Sequence, residues 1–185
     1  MADRYAQLWN KLGIPADYPR ARGLPRQREA KRLVTVGRAP DDGKVVRLAP
    51  RAAAAWRRMR AAAAEDGITL LPLSGFRGVA RQTQIIRGHL ARGRPLDDLL
   101  RYVAAPGCSE HHTGRAIDLG SPDEGAHFEA SFDRTKEYRW LARHAKRFGF
   151  RLSYPRNNPH GIGYEPWHWC WHPARHPRPA ARRQV

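Results

Sequence analysis

Two short segments of the chain concentrate the residue types that bind metal ions and move protons. They run over residues 109–120 and 163–169. A catalytic zinc ion takes three protein ligands from histidine, aspartate, glutamate or cysteine and keeps a fourth position for water. His111, Asp118 and His168 could supply those three ligands. The residue types therefore indicate a candidate site for one zinc ion.

Glu165 precedes His168 by three residues, so it would lie near the metal without having to bind it. A carboxylate in that place can take a proton from a metal-activated water, which is the role of a general base in hydrolysis. A simpler interpretation stays open, because nine histidines in one chain produce close pairs by chance. His111 and His112, close to a glycine, could form no more than a polar turn.

A second set of metal-binding residue types overlaps the first. His168, Cys170 and His172 alternate and would share one face of a strand, with the tryptophans of segment 167–171 on the other face. Three ligands from a single strand fit tetrahedral geometry poorly, although a structural zinc site there is an alternative. The tryptophan row indicates core packing more than a substrate platform.

The elements that must position these residues form an α+β pattern. The alanine-rich run 51–64 predicts a helix. Thr135 is typical of a helix N-cap, Gly149 of the end of that helix, and Pro72 of an edge or bulge in a strand. The predicted helices are 51–64, 79–90, a shorter one within 94–103, and 135–148, and the predicted strands are 68–74, 150–154 and 167–172. Helices that flank a few strands without a regular βαβ alternation indicate an α+β domain.

The length of 185 residues suits one domain. A hydrophobic content of 41% excludes the composition of an intrinsically disordered chain. We expect a basic, loosely structured N-terminal arm over 1–49, a catalytic domain over 50–172 and a disordered basic tail over 173–185. No apolar run reaches the roughly 18–20 residues that cross a bilayer.

The formal net charge of +17 predicts attraction to polyanions such as nucleic acid, anionic lipid or acidic cell-wall polymers, without choosing among them. Much of this charge is arginine in an alanine- and proline-rich background, so a merely solvated basic surface is an alternative. The polar start lacks the order of a signal peptide, and we therefore expect a cytoplasmic location, with the cell envelope or release by lysis as alternatives. Cys108 and Cys170 allow at most one intrachain disulfide.

Three motifs, in this order along the chain, resemble those of the LAS-type zinc peptidases. The segment 74–77, S-G-F-R, with Gln82 five residues later, is similar to the S-G-Y-R segment of that group. Segment 109–118 matches S-x-H-x-x-G-x-A-x-D, and segment 165–168 matches E-x-x-H. Gly78 stands where the group often has a serine, a departure that leaves Arg77 intact.

Within that group, the chain resembles the VanY-type D-alanyl-D-alanine carboxypeptidases most closely. The similar segments are F-G-F at 148–150, Y-P at 154–155 and G-Y-E-P-W-H at 163–168. Glu165 and Trp167 favour this branch over the phage L-alanyl-D-glutamate endopeptidases. The resemblance implies a small antiparallel sheet that carries the zinc site and is flanked by helices.

Carried over to these positions, the resemblance implies His111, Asp118 and His168 as ligands of one zinc ion and Glu165 as the catalytic base. Arg77 would share the stabilisation of the oxyanion or clamp a terminal carboxylate. The candidate substrate contacts are Ser109, Gln82 and Trp167.

The resulting expectation is a zinc-dependent peptidase of peptidoglycan stem peptides or muropeptides, which releases a C-terminal D-alanine. A phage-type peptidoglycan endopeptidase is the alternative enzyme. The non-enzymatic alternative is a basic polyanion-binding module with a structural zinc. We expect an anionic wall polymer as a further partner and do not expect nucleic acid, while the oligomeric state is left open.

Overall fold

The computed structural model describes residues 5–123 and 128–173, and four antiparallel strands lie at its centre. The strands of this sheet are ordered β3-β4-β6-β5, and β1 and β2 form a separate antiparallel hairpin. The strands are β1 (Val34–Arg38), β2 (Val45–Leu48), β3 (Leu71–Ser74), β4 (Ala116–Gly120), β5 (Phe150–Leu152) and β6 (His168–Trp171). The architecture is therefore the expected α+β class with small antiparallel sheets.

Six α-helices and three short 3₁₀ helices surround the strands in the described residues. The α-helices are α1 (Ala6–Leu12), α2 (Tyr18–Ala21), α3 (Pro50–Glu65), α4 (Val79–Ala91), α5 (Leu96–Leu99) and α6 (Lys136–His144). The 3₁₀ helices are Glu110–Thr113, Ala130–Arg134 and Ala145–Phe148. None of the helices in the described residues is long and apolar enough to cross a bilayer.

Helix α3 forms where the alanine-rich run predicts it. Pro50 occupies the first turn, where its missing N–H removes no helical hydrogen bond. Ala52, Trp56, Met59 and Ala63 repeat at helical spacing and are fully buried on one face. This face packs in the first core, which also contains Leu48, Ile117, Leu119, Phe132, Leu141, Phe150 and Trp169.

Several other local predictions match the observed elements. The Thr135 hydroxyl accepts the Tyr138 N–H at 3.1 Å and caps α6, and the helical run that follows ends at Gly149. Strand β3 is an edge strand whose register shifts after Pro72. The short helix predicted within 94–103 is α5, which has four residues. The predicted tail disorder falls on residues outside the described range, except for Pro173.

Residues 5–49 are not the loosely structured arm that their prolines and glycines predict. They form α1, α2 and the β1–β2 hairpin. Trp9, Tyr18 and Leu24 are buried in a second core together with Leu12, Ile86, Leu99, Tyr154 and Ile162. The breakers shorten the local elements, but burial of apolar side chains against distant parts of the chain holds the segment in place.

The N-terminal segment also supports the loops that carry the chemical motifs. The Gln27 N–H donates to the Gly107 carbonyl, and the Ala30 N–H donates to the His112 carbonyl, each at 2.8 Å. The Glu29 carboxylate accepts the Val79 N–H at 2.6 Å at the start of α4. Segments that are distant in sequence are thus joined by backbone hydrogen bonds next to the candidate site.

Candidate active site

Two paired strands and one 3₁₀ helix bring together the three predicted metal ligands. Asp118 of β4 lies directly opposite His168 of β6, and His111 lies in the 3₁₀ helix that precedes β4. His111 Nε2 is 3.2 Å from Asp118 Oδ2, and His168 Nδ1 is 3.1 Å from Asp118 Oδ1. The candidate ligand atoms all lie within 4.8 Å of one another, and all three residues are buried.

The outer nitrogen of each imidazole has its own acceptor. His111 Nδ1–H donates to the Gly75 carbonyl at 2.6 Å, and His168 Nε2–H donates to Glu110 Oε2 at 2.9 Å. These bonds set the tautomers and direct His111 Nε2 and His168 Nδ1 towards Asp118. Such outer partners are what metal-binding histidines have in proteins. The donor set of two imidazoles and one carboxylate therefore fits a zinc ion.

Two glycines allow the backbone to reach this geometry. Gly114, with φ of 63°, turns the chain from His111 into β4, as expected for a glycine that needs positive φ. A Cβ on Gly75 would lie 2.5 Å from the Arg47 carbonyl oxygen of β2. Glycine at position 75 thus lets the hairpin strand approach the carbonyl group that orients His111.

The adjacent histidine, His112, has a structural role. Its Nδ1–H donates to the Arg77 carbonyl at 2.6 Å, and its Nε2 accepts the Gly107 N–H at 3.0 Å. Both ring nitrogens are therefore occupied by backbone groups. His112 joins the loop of the first motif to the loop of the second, and burial lowers its pKa, which keeps it neutral.

His111, Asp118 and His168 together are called the trio, and their electrostatics favour a cation at its centre. Burial acts to raise the pKa of Asp118, but His111 and His168 outweigh it and hold that pKa well below its usual range. Burial lowers the pKa of His111. The pKa of His168 rises to about 10, because hydrogen bonds to Asp118 and Glu110 outweigh the opposing effect of burial. The free protein therefore holds a proton on His168 between Asp118 and Glu110, and a metal ion that binds His168 Nδ1 would displace that proton.

Glu165 lies beside the trio and has a strongly perturbed pKa. Its side chain is buried, and its Oε2 is 3.8 Å from His168 Nδ1. Burial is the largest cause that raises its pKa to about 7; Asp118 also raises it, while His168 and Arg77 lower it. A carboxyl group with that pKa exchanges protons efficiently near neutral pH. The geometry thus gives Glu165 a place next to the trio and a proton affinity suited to a base.

Arg77 reaches the same site from the loop after β3. Its backbone N–H donates to the His111 carbonyl at 3.2 Å, so the backbone of Arg77 is bonded to segment 109–118. Asp118 and Glu165 favour its charged form, although burial lowers its pKa. A guanidinium stays charged at any working pH. Within the described residues, no group accepts a hydrogen bond from its buried Nε.

A cavity of about 780 Å³ opens onto the trio. Of the predicted site residues, Arg77, Ser109, Glu165 and Trp167 line it together with the three candidate ligands. Trp167 also packs in the first core. Further lining residues are Ser74, Arg94, Tyr102, Phe128, Tyr154, Arg156 and Tyr164.

Gln82 does not line this cavity, so the structure corrects its expected substrate contact. Its side chain is completely buried, and its Nε2 donates to the Ala104 carbonyl at 2.6 Å. Ala104 lines the cavity. Gln82 therefore supports a wall residue from behind, because its position on the buried face of α4 turns it away from the opening.

Sequence reasoning missed two residues of the site. Glu110 orients His168, and its position between Ser109 and His111 of the motif was the available signal. Tyr154 lines the cavity, and its ring centroid is 4.9 Å from that of His168. Cys108 and Cys170 are buried and form no disulfide with each other.

Comparison with known proteins places this geometry in a family. The family model described as VanY, D-alanyl-D-alanine carboxypeptidase, matches residues 45–174, which is well over half of the chain. The chain belongs to the VanY family. The matched range contains all three motifs and the three residues of the trio.

Relatives in sequence and structure agree with VanY membership. The bifunctional D-Ala-D-Ala dipeptidase and carboxypeptidase VanXYC of Enterococcus gallinarum is 32% identical over 151 residues, which are 79% of this chain and 76% of that protein. The chain spans only 43% and 42% of the length of two other curated relatives, from Bacillus subtilis and Enterococcus faecalis.

Two solved structures share the fold of this VanY-family chain. The LD-carboxypeptidase LdcB has a TM-score of 0.71 and 30% identity, covering 80% of this chain and 71% of LdcB. A vancomycin-resistance D,D-pentapeptidase VanY in complex with Zn(II) has a TM-score of 0.59 and 26% identity, covering 80% and 82% of the two chains. The small antiparallel sheet with flanking helices is thus the fold of VanY and LdcB.

Proposed function

We propose that this protein is a zinc-dependent carboxypeptidase that releases the C-terminal D-alanine from peptidoglycan stem peptides. The observation that carries the proposal is the buried group of His111, Asp118 and His168 at one wall of a cavity, with Glu165 beside it. Family membership and the zinc complex of a structural neighbour support the same metal and reaction.

His111, Asp118 and His168 would hold the ion through Nε2, a carboxylate oxygen and Nδ1 respectively. When bound, zinc lowers the pKa of a water molecule and polarises the scissile carbonyl group. Glu110 and the Gly75 carbonyl keep both imidazoles in the ligand tautomer. The protein therefore supplies a preorganised site instead of assembling one around the metal.

Glu165 accepts the proton of the attacking water and returns it to the nitrogen of the departing D-alanine. Its pKa of about 7 suits both transfers near neutral pH. The net change is cleavage of one peptide bond, with the proton from water ending on the leaving amine.

Arg77 binds the anionic part of the substrate. Arg77 lines the cavity together with the three candidate ligands and Glu165, which places a positive charge at the reacting centre. A guanidinium there can pair with the terminal carboxylate of the peptide or with the developing oxyanion. Pairing with the terminal carboxylate would favour a carboxypeptidase over an endopeptidase, because an endopeptidase substrate has no free carboxylate at that point.

A second specificity is supported by one observation. LdcB, an LD-carboxypeptidase, matches this structure with a TM-score of 0.71, against 0.59 for the VanY pentapeptidase. L,D-cleavage of a tetrapeptide is therefore the second candidate.

The excess of basic residues also supports attraction to an anionic wall polymer. Loss of binding to whole cell walls at high salt would test this attraction.

The decisive experiment incubates the zinc-loaded protein with synthetic stem pentapeptide and tetrapeptide and reads the products by mass spectrometry. Loss of one alanine from the pentapeptide is the expected result. Loss from the tetrapeptide alone would establish L,D-cleavage, and digestion of cross-linked peptidoglycan alone would establish an endopeptidase.

Glu165→Gln is the matched control, since it keeps the size of the side chain and removes the base. We expect kcat/KM to fall by about 10² to 10⁴, with the zinc content of the protein unchanged. Equal activity in the variant would refute the assigned role of Glu165. Failure of the native protein to cleave any of the three substrates would refute the peptidase function.

A further inference from the structure

A second group of metal-binding side chains lies next to the trio and is separate from it. Glu110, Cys170 and His172 place three candidate ligand atoms within 4.8 Å of one another. None of these residues lines the large cavity. The group differs from the His168, Cys170, His172 set that alternation predicts, because His168 points to Asp118 and Glu110 takes its place.

The fold explains how these three residues meet. Cys170 lies on β6 and His172 directly follows the end of that strand, so the two residues occupy alternate positions of an extended segment. Glu110 comes from the 3₁₀ helix before β4, which brings a ligand from a second segment of the chain. The poor geometry of three ligands on one strand is thereby avoided.

The environment suits a metal ion. Cys170 is buried, while Glu110 and His172 are partly exposed, so an ion can enter from solvent. His172 offers an imidazole nitrogen at the partly exposed side of the group. A thiolate, an imidazole and a carboxylate together are a donor set for Zn²⁺ and similar divalent ions.

We propose that Glu110, Cys170 and His172 bind a second divalent ion of the zinc type, and that this ion inhibits the catalytic site. Sγ, an imidazole nitrogen and a carboxylate oxygen supply three ligands, and water supplies the rest. The thiol proton leaves to the solvent as Sγ binds.

Glu110 connects the two sites. Its Oε2 accepts hydrogen bonds from His168 Nε2 at 2.9 Å and from the Ser153 hydroxyl at 2.6 Å. A cation on this carboxylate draws charge away from the bond to His168 and weakens that imidazole as a ligand. Two cations so close to one carboxylate also repel each other. Occupation of the second site should therefore weaken the first.

The test uses Co²⁺ as the probe, added to the full-length protein that already carries one equivalent of zinc. Cobalt bound to a thiolate gives a near-ultraviolet charge-transfer band, and the catalytic trio contains no sulfur. We expect the band in the native protein and in Cys108→Ser, the control for the other cysteine. We expect its loss in Cys170→Ser and a drop of at least about tenfold in cobalt affinity in His172→Ala.

The proposed inhibition rests on the proposed peptidase function, so it is measured in a separate cleavage assay. Zinc above one equivalent should lower the cleavage rate of the native protein. The zinc concentration that halves the rate should rise at least about tenfold in His172→Ala, whose partly exposed side chain can be removed without opening the core.

The outcomes separate the claims. The absence of a thiolate band, or an equal band in Cys170→Ser, would overturn the second site, whether or not the protein cleaves peptides. A band without inhibition by excess zinc in an active protein would overturn the coupling through Glu110. A band in a protein that cleaves no peptide would establish the site and refute only the proposed function.

Discussion

Replacement of Glu110 by glutamine tests whether the group behind His168 controls the metal site. Glu110 Oε2 lies 2.9 Å from His168 Nε2, and the side chain is 19% exposed. Burial acts to raise the pKa of Glu110, yet the hydrogen bond and charge of His168, together with Ser153, lower it to about 2. The carboxylate is therefore charged at any working pH. Glutamine keeps the shape and a carbonyl acceptor but removes the charge.

The expected effect follows from the kind of contact that is lost. Outer partners of metal-binding histidines contribute about 10- to 100-fold in metal affinity or activity. This corresponds to about 1.4–2.7 kcal/mol. We expect Glu110→Gln to weaken zinc binding within that range, because His168 loses its anionic acceptor while His111 keeps its bond to the Gly75 carbonyl.

The assay is competition for zinc against a chelator, with less than one equivalent of metal so that only the tightest site fills. Ser153→Ala is the matched control, since it removes the second hydrogen bond to the same oxygen and leaves the charge. We expect a smaller loss of affinity in the control. An unchanged zinc affinity in a correctly folded Glu110→Gln protein would refute the role assigned to Glu110.

Two further predictions concern stability. Gly114→Ala should lower the free energy of unfolding by about 1–3 kcal/mol more than Gly43→Ala, measured by denaturant titration. Both positions have positive φ, but a Cβ on Gly114 would lie 2.8 Å from the Ala49 nitrogen, whereas a Cβ on Gly43 meets nothing within 4 Å; equal losses would contradict this reasoning. Removal of zinc by a chelator should lower the melting temperature, since an ion that binds only the folded state at 1,000 times its Kd adds about 4 kcal/mol, and a melting temperature independent of zinc would contradict a preformed site.

The shape of the site could not be derived from local pattern alone, as Gln82 shows. Its place in a motif-like segment predicted a substrate contact, but the packing of α4 buries it behind the cavity wall. The same limit applies to residues 5–49, where frequent prolines and glycines predicted loose structure. Their burial depends on contacts with distant parts of the chain, such as the bond from Trp9 Nε1 to the Pro106 carbonyl, 97 positions away.

The sequence by itself determined the features that depend on neighbours along the chain. These are the helix after Pro50, the cap at Thr135, the turn at Gly114 and the identity of the residues in the metal motifs. Each follows from backbone propensity or from a few residues at short spacing, and none requires a distant contact.

Only the tertiary structure decided which of the metal-binding residues share a site. Strand register places Asp118 opposite His168. The 3₁₀ helix then inserts Glu110 between His168 and the pair formed by Cys170 and His172. Alternation along a strand predicts which face a side chain occupies. It does not predict which side chains of a second segment pack against that face. The separation into two groups therefore arises from packing between segments that are about 60 residues apart in the chain.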